Sequence, residues 1–425
     1  CGEITIANCE INAGSSIFED SHCDDDGGGG GGGIVPIVYT VEDECLHTHC
    51  HHCLKQLDLN GKKLACSSCK FCRYCSVQCF QSDMMIHRLE CVALQRLFKR
   101  MPVQDKQQKE NRFELLSKSY TRSIRMFVAW TPPPPLPSDR VVVGDDVKNL
   151  RGLSMLITQL MSLVQDKMPT SLSSDDIFRI LCQFRVNNLG ICDNDMNSVG
   201  VGLYPLISKL NHSCRPNTAV FFDGFKAKVI ALRPMAKNEE LNITYIELAQ
   251  SRERRRRQLR ERYGFVCNCE RCCASNNDDD GDDAPLIEHS QYFSESEQHR
   301  AESLVERASS SSSENVETEI TYLEKAFKIY ERIYGPMHQD LIQTASTLCH
   351  KYVQASRFDL ALKYAKLLTP CFEKYYPPLL PILGVHYFMM AKLCSTSNDR
   401  LEEMRRYAQK AFEILRCFYS ADELN

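Results

Sequence analysis

Four short cysteine and histidine pairs crowd one stretch of the chain: Cys50 with Cys53, Cys66 with Cys69, Cys75 with Cys79, and His87 with Cys91. A two-residue gap lets a tight turn aim both sulfurs at one ion, and an i,i+4 step does the same from one helix face. Eight such ligands make two closed tetrahedral zinc sites, which have no open coordination position and so serve structure rather than chemistry. Spacing does not fix which pairs share an ion. Cys45, His47, His51, His52 and Cys72 lie nearby, and a ligand swap among them is the main alternative.

A second cluster reads Cys267-x-Cys269-x2-Cys272 and supplies three thiols. Tetrahedral zinc wants a fourth. Cys273 is adjacent but poorly placed, whereas Cys214 lies upstream in the segment Asn211-His212-Ser213-Cys214. A site joining those two stretches would clamp the later one over whatever the earlier one builds.

These clusters account for an unusual composition. The chain holds 23 cysteines in 425 residues, nearly three times what usage of roughly 1–2% would give. The count is odd, no cleavable signal opens the chain, and no apolar run could span a bilayer, so metal in a reducing compartment is preferred over a disulfide framework. The 43% hydrophobic content excludes a mostly disordered protein. The net charge of −4 gives no reason to expect nucleic acid as the main partner. The first residue is Cys1 rather than Met, which leaves room for a preceding segment.

The elements that must position these groups follow from periodicity. Residues 1–20 alternate apolar and polar around Ala13-Gly14, as two short strands joined by a turn. Three aspartates and seven glycines at 24–33 form a flexible loop. Residues 92–130 and 147–190 have helical spacing, broken by prolines at 132–135 that suit a stiff loop. Strands are expected at 219–222 and 228–232 around Asp223-Gly224, and polar linkers at 276–283 and 309–313. Beyond about residue 286 the pattern is helical, and YERIYG, FEKYYP and LRCFYS recur at 330, 372 and 415, a spacing that suits stacked helix pairs of the tetratricopeptide kind.

The NHSC segment at 211–214, the tyrosine closing ELNITYIE at Tyr245 and the C-x-C-x2-C tail resemble the core and post-SET regions of protein lysine methyltransferases. The stretch GVGLYPLISKLNHSCRPN, the Cys/His finger placed between N-terminal strands and the rest, and the helical C-terminal part resemble the SMYD (SET and MYND domain) family over essentially the whole chain. The resemblance implies an α+β, mainly α fold. Its parts are N-terminal SET strands with a glycine-rich loop at 1–44, a MYND finger at 45–91, a helical insert at 92–190, core SET at 191–247, a post-SET zinc region at 248–275 and a TPR-like domain at 286–425.

It further implies S-adenosylmethionine-dependent lysine methylation of histone or other proteins, with three zinc ions. One zinc would take Cys50, Cys53, Cys75 and Cys79, the second Cys66, Cys69, His87 and Cys91, and the third Cys214, Cys267, Cys269 and Cys272. Tyr245 matches the catalytic tyrosine. Asn211 and His212 match the pair that holds the cofactor, Phe265 an aromatic that packs on it, and Asn149 a contact to its amino-acid part. Tyr263 matches a wall of the lysine channel, with Ser208 and Asn187 at site-lining positions. Cys192 falls near that channel and could meet electrophiles. The partners implied are proteins carrying a target lysine and peptide motifs bound by the finger. A monomer of cytoplasm and nucleus, without membrane attachment, is expected.

Two departures weigh on the cofactor. The family's opening Gly-x-Gly turn reads Gly2-Glu3-Ile4, with only the first glycine, and Val141 and Val147 stand where members can carry a tyrosine and a glutamate. The rival function is therefore a scaffold whose finger and helices bind partners while the core turns over weakly or not at all. The run Arg252, Arg254, Arg255, Arg256 and Arg257 could touch DNA or an acidic segment. A solvated helix face balanced by Glu253 and Glu261 is the simpler reading. The other twelve cysteines read as small buried apolar residues.

Overall fold

The computed structural model describes residues 5–17, 34–58, 64–100, 125, 145–162, 173–273, 281–310 and 316–419. Gly2, Ile4, the glycine run at 27–33, the prolines at 132–135 and Val141 lie outside them, as does the side chain of Val147.

A three-stranded antiparallel sheet has β5 (Ser198–Leu203) between β1 (Val38–Val41) and β4 (Asn188–Cys192). Gly200 lets the strands approach, since a Cβ there would stand 2.7 Å from the carbonyl oxygen of Thr40. Alternating, β-branched and aromatic residues form the hairpin β7 (Thr218–Asp223) and β8 (Lys226–Ala231), turned at Gly224 with φ +58°. The expected strands are thus present at 219–222 and 228–232. The N-terminal segment differs from a hairpin of its own. Ile6, Ile11 and Ser16 bridge singly to Glu240, Met235 and Ile230, because the apolar face they need lies on that later segment.

The finger contributes β2 (Leu64–Ala65) and β3 (Arg73–Tyr74), then α1 (Val77–Arg100). The helical stretch expected at 147–190 divides into α2 (Asp145–Met161) and α3 (Ser174–Asn187). Helix α3 starts at a reciprocal capping box between Ser173 and Asp176, which satisfies backbone donors locally. Short β6 (Asn211–His212) and β9 (Asn242–Ile243) run parallel, Asn211 opposite Asn242 and His212 opposite Ile243. Helix α4 (Arg252–Tyr263) is capped by Ser251 and ends at Gly264, whose φ of +74° closes the last turn.

After the single helical turn Glu270–Cys273, six longer helices follow among the described residues: α5 (Glu295–Ser310), α6 (Val316–Ile333), α7 (Gln339–Gln354), α8 (Phe358–Tyr375), α9 (Pro381–Cys394) and α10 (Leu401–Leu415). Each packs on its neighbour in sequence. In α6 the buried residues Ile320, Leu323, Phe327 and Tyr330 recur at three- and four-residue steps. The repeated aromatic motifs fall at the ends of α6, α8 and α10, every second helix, as stacked pairs require.

Candidate active site and metal centres

Zinc–sulfur bonds of about 2.3 Å in a tetrahedron place sulfurs about 3.8 Å apart. In the first cluster Sγ of Cys75 lies 3.6 Å from that of Cys53 and 3.4 Å from that of Cys79, and Cys50 completes the set. In the second, Sγ atoms of Cys66 and Cys91 are 3.8 Å apart and Cys69 Sγ is 3.7 Å from Nε2 of His87. The pairs interleave because α1 carries Cys79, His87 and Cys91 while the β2–β3 turn presents Cys66 and Cys69. Both donor sets fit zinc. Hydrogen bonding from Cys53 holds the Cys50 thiol well below its usual range and raises Cys53 in turn, and bonding from Cys72 and His87 lowers Cys69.

Buried Glu90 orients His87, its carboxylate 2.9 Å from Nδ1, and also accepts from Cys72 and, at 3.1 Å, from Arg125. Arg125 reaches Asp83 and the carbonyl oxygens of Tyr39 and His51 as well, so one buried guanidinium ties the finger to strand β1. Cys72 with His87 and Glu90 makes a fourth possible ligand group, next to the second cluster.

In the third cluster Cys214 Sγ lies 3.6 Å from Cys272 and 4.0 Å from Cys267, with Cys269 completing the four. Cys273 is exposed and bonds the carbonyl of Asn268 instead. Here the basic run departs from a solvated face. Arg255 is fully buried, with Nε 3.2 Å from Cys214 Sγ, Nη2 3.6 Å from Cys272 Sγ and Nη1 2.8 Å from Asp283. Arg256 donates to the carbonyl oxygens of Cys267 and Cys272. Asp283, expected in a linker, is buried between Arg255 and Arg271, where two cations and a desolvated carboxylate need one another. The legible signal was period: Arg255, Leu259 and Tyr263 recur every four residues along one buried face of α4.

The third cluster borders the tyrosine pair. His212 Nε2 is 3.3 Å from Cys214 Sγ, and its Nδ1 accepts the backbone N–H of Tyr245 at 3.1 Å. Burial lowers the His212 pKa to about 4, leaving the imidazole neutral and able to accept there. The Tyr245 hydroxyl donates to the Leu210 carbonyl at 2.5 Å. The Tyr245 ring lies 4.9 Å from that of Tyr263 and 6.5 Å from that of Phe265, while Phe265 is 6.2 Å from His212.

A cavity of about 440 Å³ opens beside Tyr245 and collects Tyr263, Asn187, Ser208 and Cys192 in its wall. Asn211, His212 and Phe265 stand outside that lining, and Asn149 is exposed on α2, also outside it. Asn211 donates to Glu240 at 2.9 Å. Ser208 is spent on the carbonyl oxygens of Asn187 and Tyr204. Asn187 is buried, and among the described residues its Oδ1 has no partner. Burial pushes the Cys192 thiol up to about 11, so near neutral pH it is the protonated, weakly nucleophilic form. The wall also includes Glu247, Tyr376, Leu380 and Ile382, not singled out in the sequence. Tyr376 donates to Glu247 at 2.6 Å, so the helical domain closes one side of the cavity.

The family model for the SET domain matches residues 6–246. Among curated proteins, the chain is 25% identical to Histone-lysine N-methyltransferase ASHR1 of Arabidopsis thaliana over 90% of its own length and 85% of that protein. It is 33% identical to Histone-lysine N-methyltransferase SMYD3 of Mus musculus, covering 56% of this chain and 54% of that one. Against N-lysine methyltransferase SMYD2 of Homo sapiens the identity is 24%, covering 53% and 50%. The alignments thus span most of the plant protein and about half the length of the animal ones.

Proposed function

The chain belongs to the SET-domain family, in its SET and MYND branch of protein-lysine methyltransferases, and from that premise we propose that it methylates lysines of histone or other proteins, using S-adenosylmethionine and three structural zinc ions. The observation that carries this reading is the cavity in which Tyr245, Tyr263 and Asn187 meet beside the third cysteine cluster. Bound on the adjoining side, where Asn211, His212 and Phe265 stand outside the cavity lining, S-adenosylmethionine would supply the methyl group and a positive sulfur. The orphaned Oδ1 of Asn187 suits a group bearing N–H donors, and the neutral His212 holds the Tyr245 backbone on the adjoining side.

The residues present address the two obstacles of amine methylation. A lysine amine must be neutral to attack, and near neutral pH its deprotonation costs about 4 kcal/mol from a pKa of about 10.4. Tyr245, Tyr263, Ile243 and Leu380 in the wall disfavour the ammonium form and lower that cost, while the Glu247 and Asp193 carboxylates of the same wall act the other way. The second obstacle is alignment. Tyr245 is fixed at both ends, by its N–H to His212 and its hydroxyl to Leu210, and with Tyr263 inclined at 45° it confines the approaching side chain. We assign Tyr245 as the catalytic tyrosine, Tyr263, Ser208, Asn187 and Cys192 to the lysine side, and Asn211, His212 and Phe265 to the cofactor side. Asn149 and Gly2 remain cofactor contacts on the resemblance alone.

The reading places the protein in cytoplasm and nucleus, where thiols stay reduced, as a monomer. Among the described residues no helix is long and apolar enough to cross a membrane. Calorimetric titration of zinc-loaded protein with S-adenosylmethionine, paired with transfer of labelled methyl to protein, tests the proposal. Saturable binding and labelled lysine are expected. Absence of cofactor binding would replace the enzyme with a scaffold.

A further inference from the structure

The arginines of α4 divide by what they meet. Arg254 pairs with Asp340 at 2.7 Å, Arg255 with Asp283 at 2.8 Å, and Arg256 donates to the carbonyl oxygens of Cys267 and Cys272. Arg262, in the helix's last turn, turns elsewhere. It is exposed, its guanidinium carbon lies 5.5 Å from the centre of the Tyr263 ring, and among the described residues it has no carboxylate partner. Among the described residues it is also the only cation in the wall of the cavity beside Tyr245.

The carboxylates of that wall are held by the protein itself. Glu247 accepts the Tyr376 hydroxyl at 2.6 Å and the Ala249 N–H at 2.8 Å. Asp193 accepts the N–H groups of Asp195 and Asn197 at 3.0 and 2.8 Å and the Asn197 side-chain amide at 3.2 Å, which shapes the loop joining β4 to β5. Both stay negative, but their oxygens already have donors, whereas the guanidinium donors of Arg262 are open to a ligand. With the Tyr263 ring 4.9 Å from that of Tyr245, the cation lies within about 10 Å of Tyr245, the reach of about three residues of extended chain. Residues next to a lysine seated between the two tyrosines therefore pass Arg262.

We propose that Arg262 selects target lysines that have an acidic residue close by in the substrate sequence, its guanidinium taking that carboxylate at the cavity wall. The inference rests on the methyltransferase reading above and names the substrate class for that site. Recognition is then at two points, the lysine between Tyr245 and Tyr263 and the carboxylate beside Tyr263, where a planar guanidinium can pair with both carboxylate oxygens. The cofactor's own carboxylate is the competing ligand, yet Asn211, His212 and Phe265, assigned to the cofactor, stand outside this lining. A pair at an exposed cation forms equally in the bound substrate and during reaction, so it acts on KM rather than on kcat.

Three synthetic peptides test this on the zinc-loaded full chain: a central lysine flanked on each side by two glutamates, two glutamines or two arginines. Affinity is read by fluorescence anisotropy and turnover by transfer of labelled methyl. At low salt the glutamate peptide should bind about fivefold more tightly than the glutamine peptide, the upper range for an exposed ion pair, with a KM lower by the same factor and a similar kcat. The arginine peptide should be the weakest, and added salt should narrow the gap. Arg262→Gln should bring the glutamate and glutamine peptides to the same affinity, and Arg262→Glu should invert the order of the glutamate and arginine peptides. Where a variant loses zinc or thermal stability, the peptide order and salt dependence of the parent chain decide alone. Equal affinity for the glutamate and glutamine peptides, tightest binding of the arginine peptide, a preference that survives Arg262→Gln, or a variant that shifts the KM for S-adenosylmethionine instead of that for peptide each overturns the proposal. Absence of methyl transfer to all three peptides would fault the methyltransferase reading instead, and the order of affinities would still decide the role of Arg262.

Discussion

His212 stands between Tyr245 and Cys214, accepting the Tyr245 N–H on Nδ1 at 3.1 Å and meeting the Cys214 sulfur with Nε2 at 3.3 Å. For Nδ1 to accept, a neutral ring carries its proton on Nε2, so that proton points at the metal-site sulfur. The tyrosine at the cavity wall and the third cysteine cluster therefore set each other's geometry through one imidazole.

Replacing Tyr245 by Phe removes the hydroxyl that reaches Leu210 while keeping the ring against Tyr263. Methyl transfer should fall by about a hundredfold or more, the scale of losing one oriented polar group at a reacting centre. Cofactor affinity, read by calorimetry, should change little. Unaltered transfer would remove Tyr245 from its assigned role.

Each cysteine cluster should hold one zinc, giving three per chain by elemental analysis. Cys272→Ser should lower the count to two and depress methyl transfer although Cys272 is absent from the cavity lining, because Cys214 would lose its counterpart and His212 its fixed neighbour. A variant that lost this zinc and kept full activity would uncouple the cluster from Tyr245.

Arg255→Met keeps much of the side chain's volume but leaves Asp283 buried with Arg271 alone. Breaking one side of a buried ionic group costs about 3–5 kcal/mol. Urea unfolding should show a loss of that size, with faster zinc release to a chelator than in the parent. A loss below 1 kcal/mol would place Arg255 outside the cluster's support.

The zinc ligands were legible because their spacing is local: turns and i,i+4 steps bring thiols together whatever the rest of the chain does. The hairpin strands at 219–222 and 228–232 were legible for the same reason. Arg255 was legible only through its four-residue step to Leu259 and Tyr263, which the charge of the surrounding run masks, and Asp283 was not legible at all, since an acidic linker composition gives no sign of the tertiary packing that buries it against Arg255. Tyr376 was hidden differently. It belongs to a helical repeat some 130 residues beyond Glu247, and nothing local to either residue announces their hydrogen bond.

Stability should decline in mild acid, in part through His386. This ring is 5% exposed, lies 2.9 Å from the Thr369 hydroxyl, and has its pKa lowered by burial to about 4. The unfolded chain takes up a proton near the ordinary histidine value of about 6.5, while the folded chain resists until about pH 4. Between those values the unfolded state binds more protons, so stability falls as pH is lowered through that window and is level in this respect above it. At pH 5 the loss assigned to one such histidine is about 2 kcal/mol. His386→Gln should retain the bond to Thr369 and remove that share, so the difference between urea unfolding at pH 7 and at pH 5 should shrink by about 2 kcal/mol relative to the parent. An unchanged difference would mean that His386 is protonated in the folded chain.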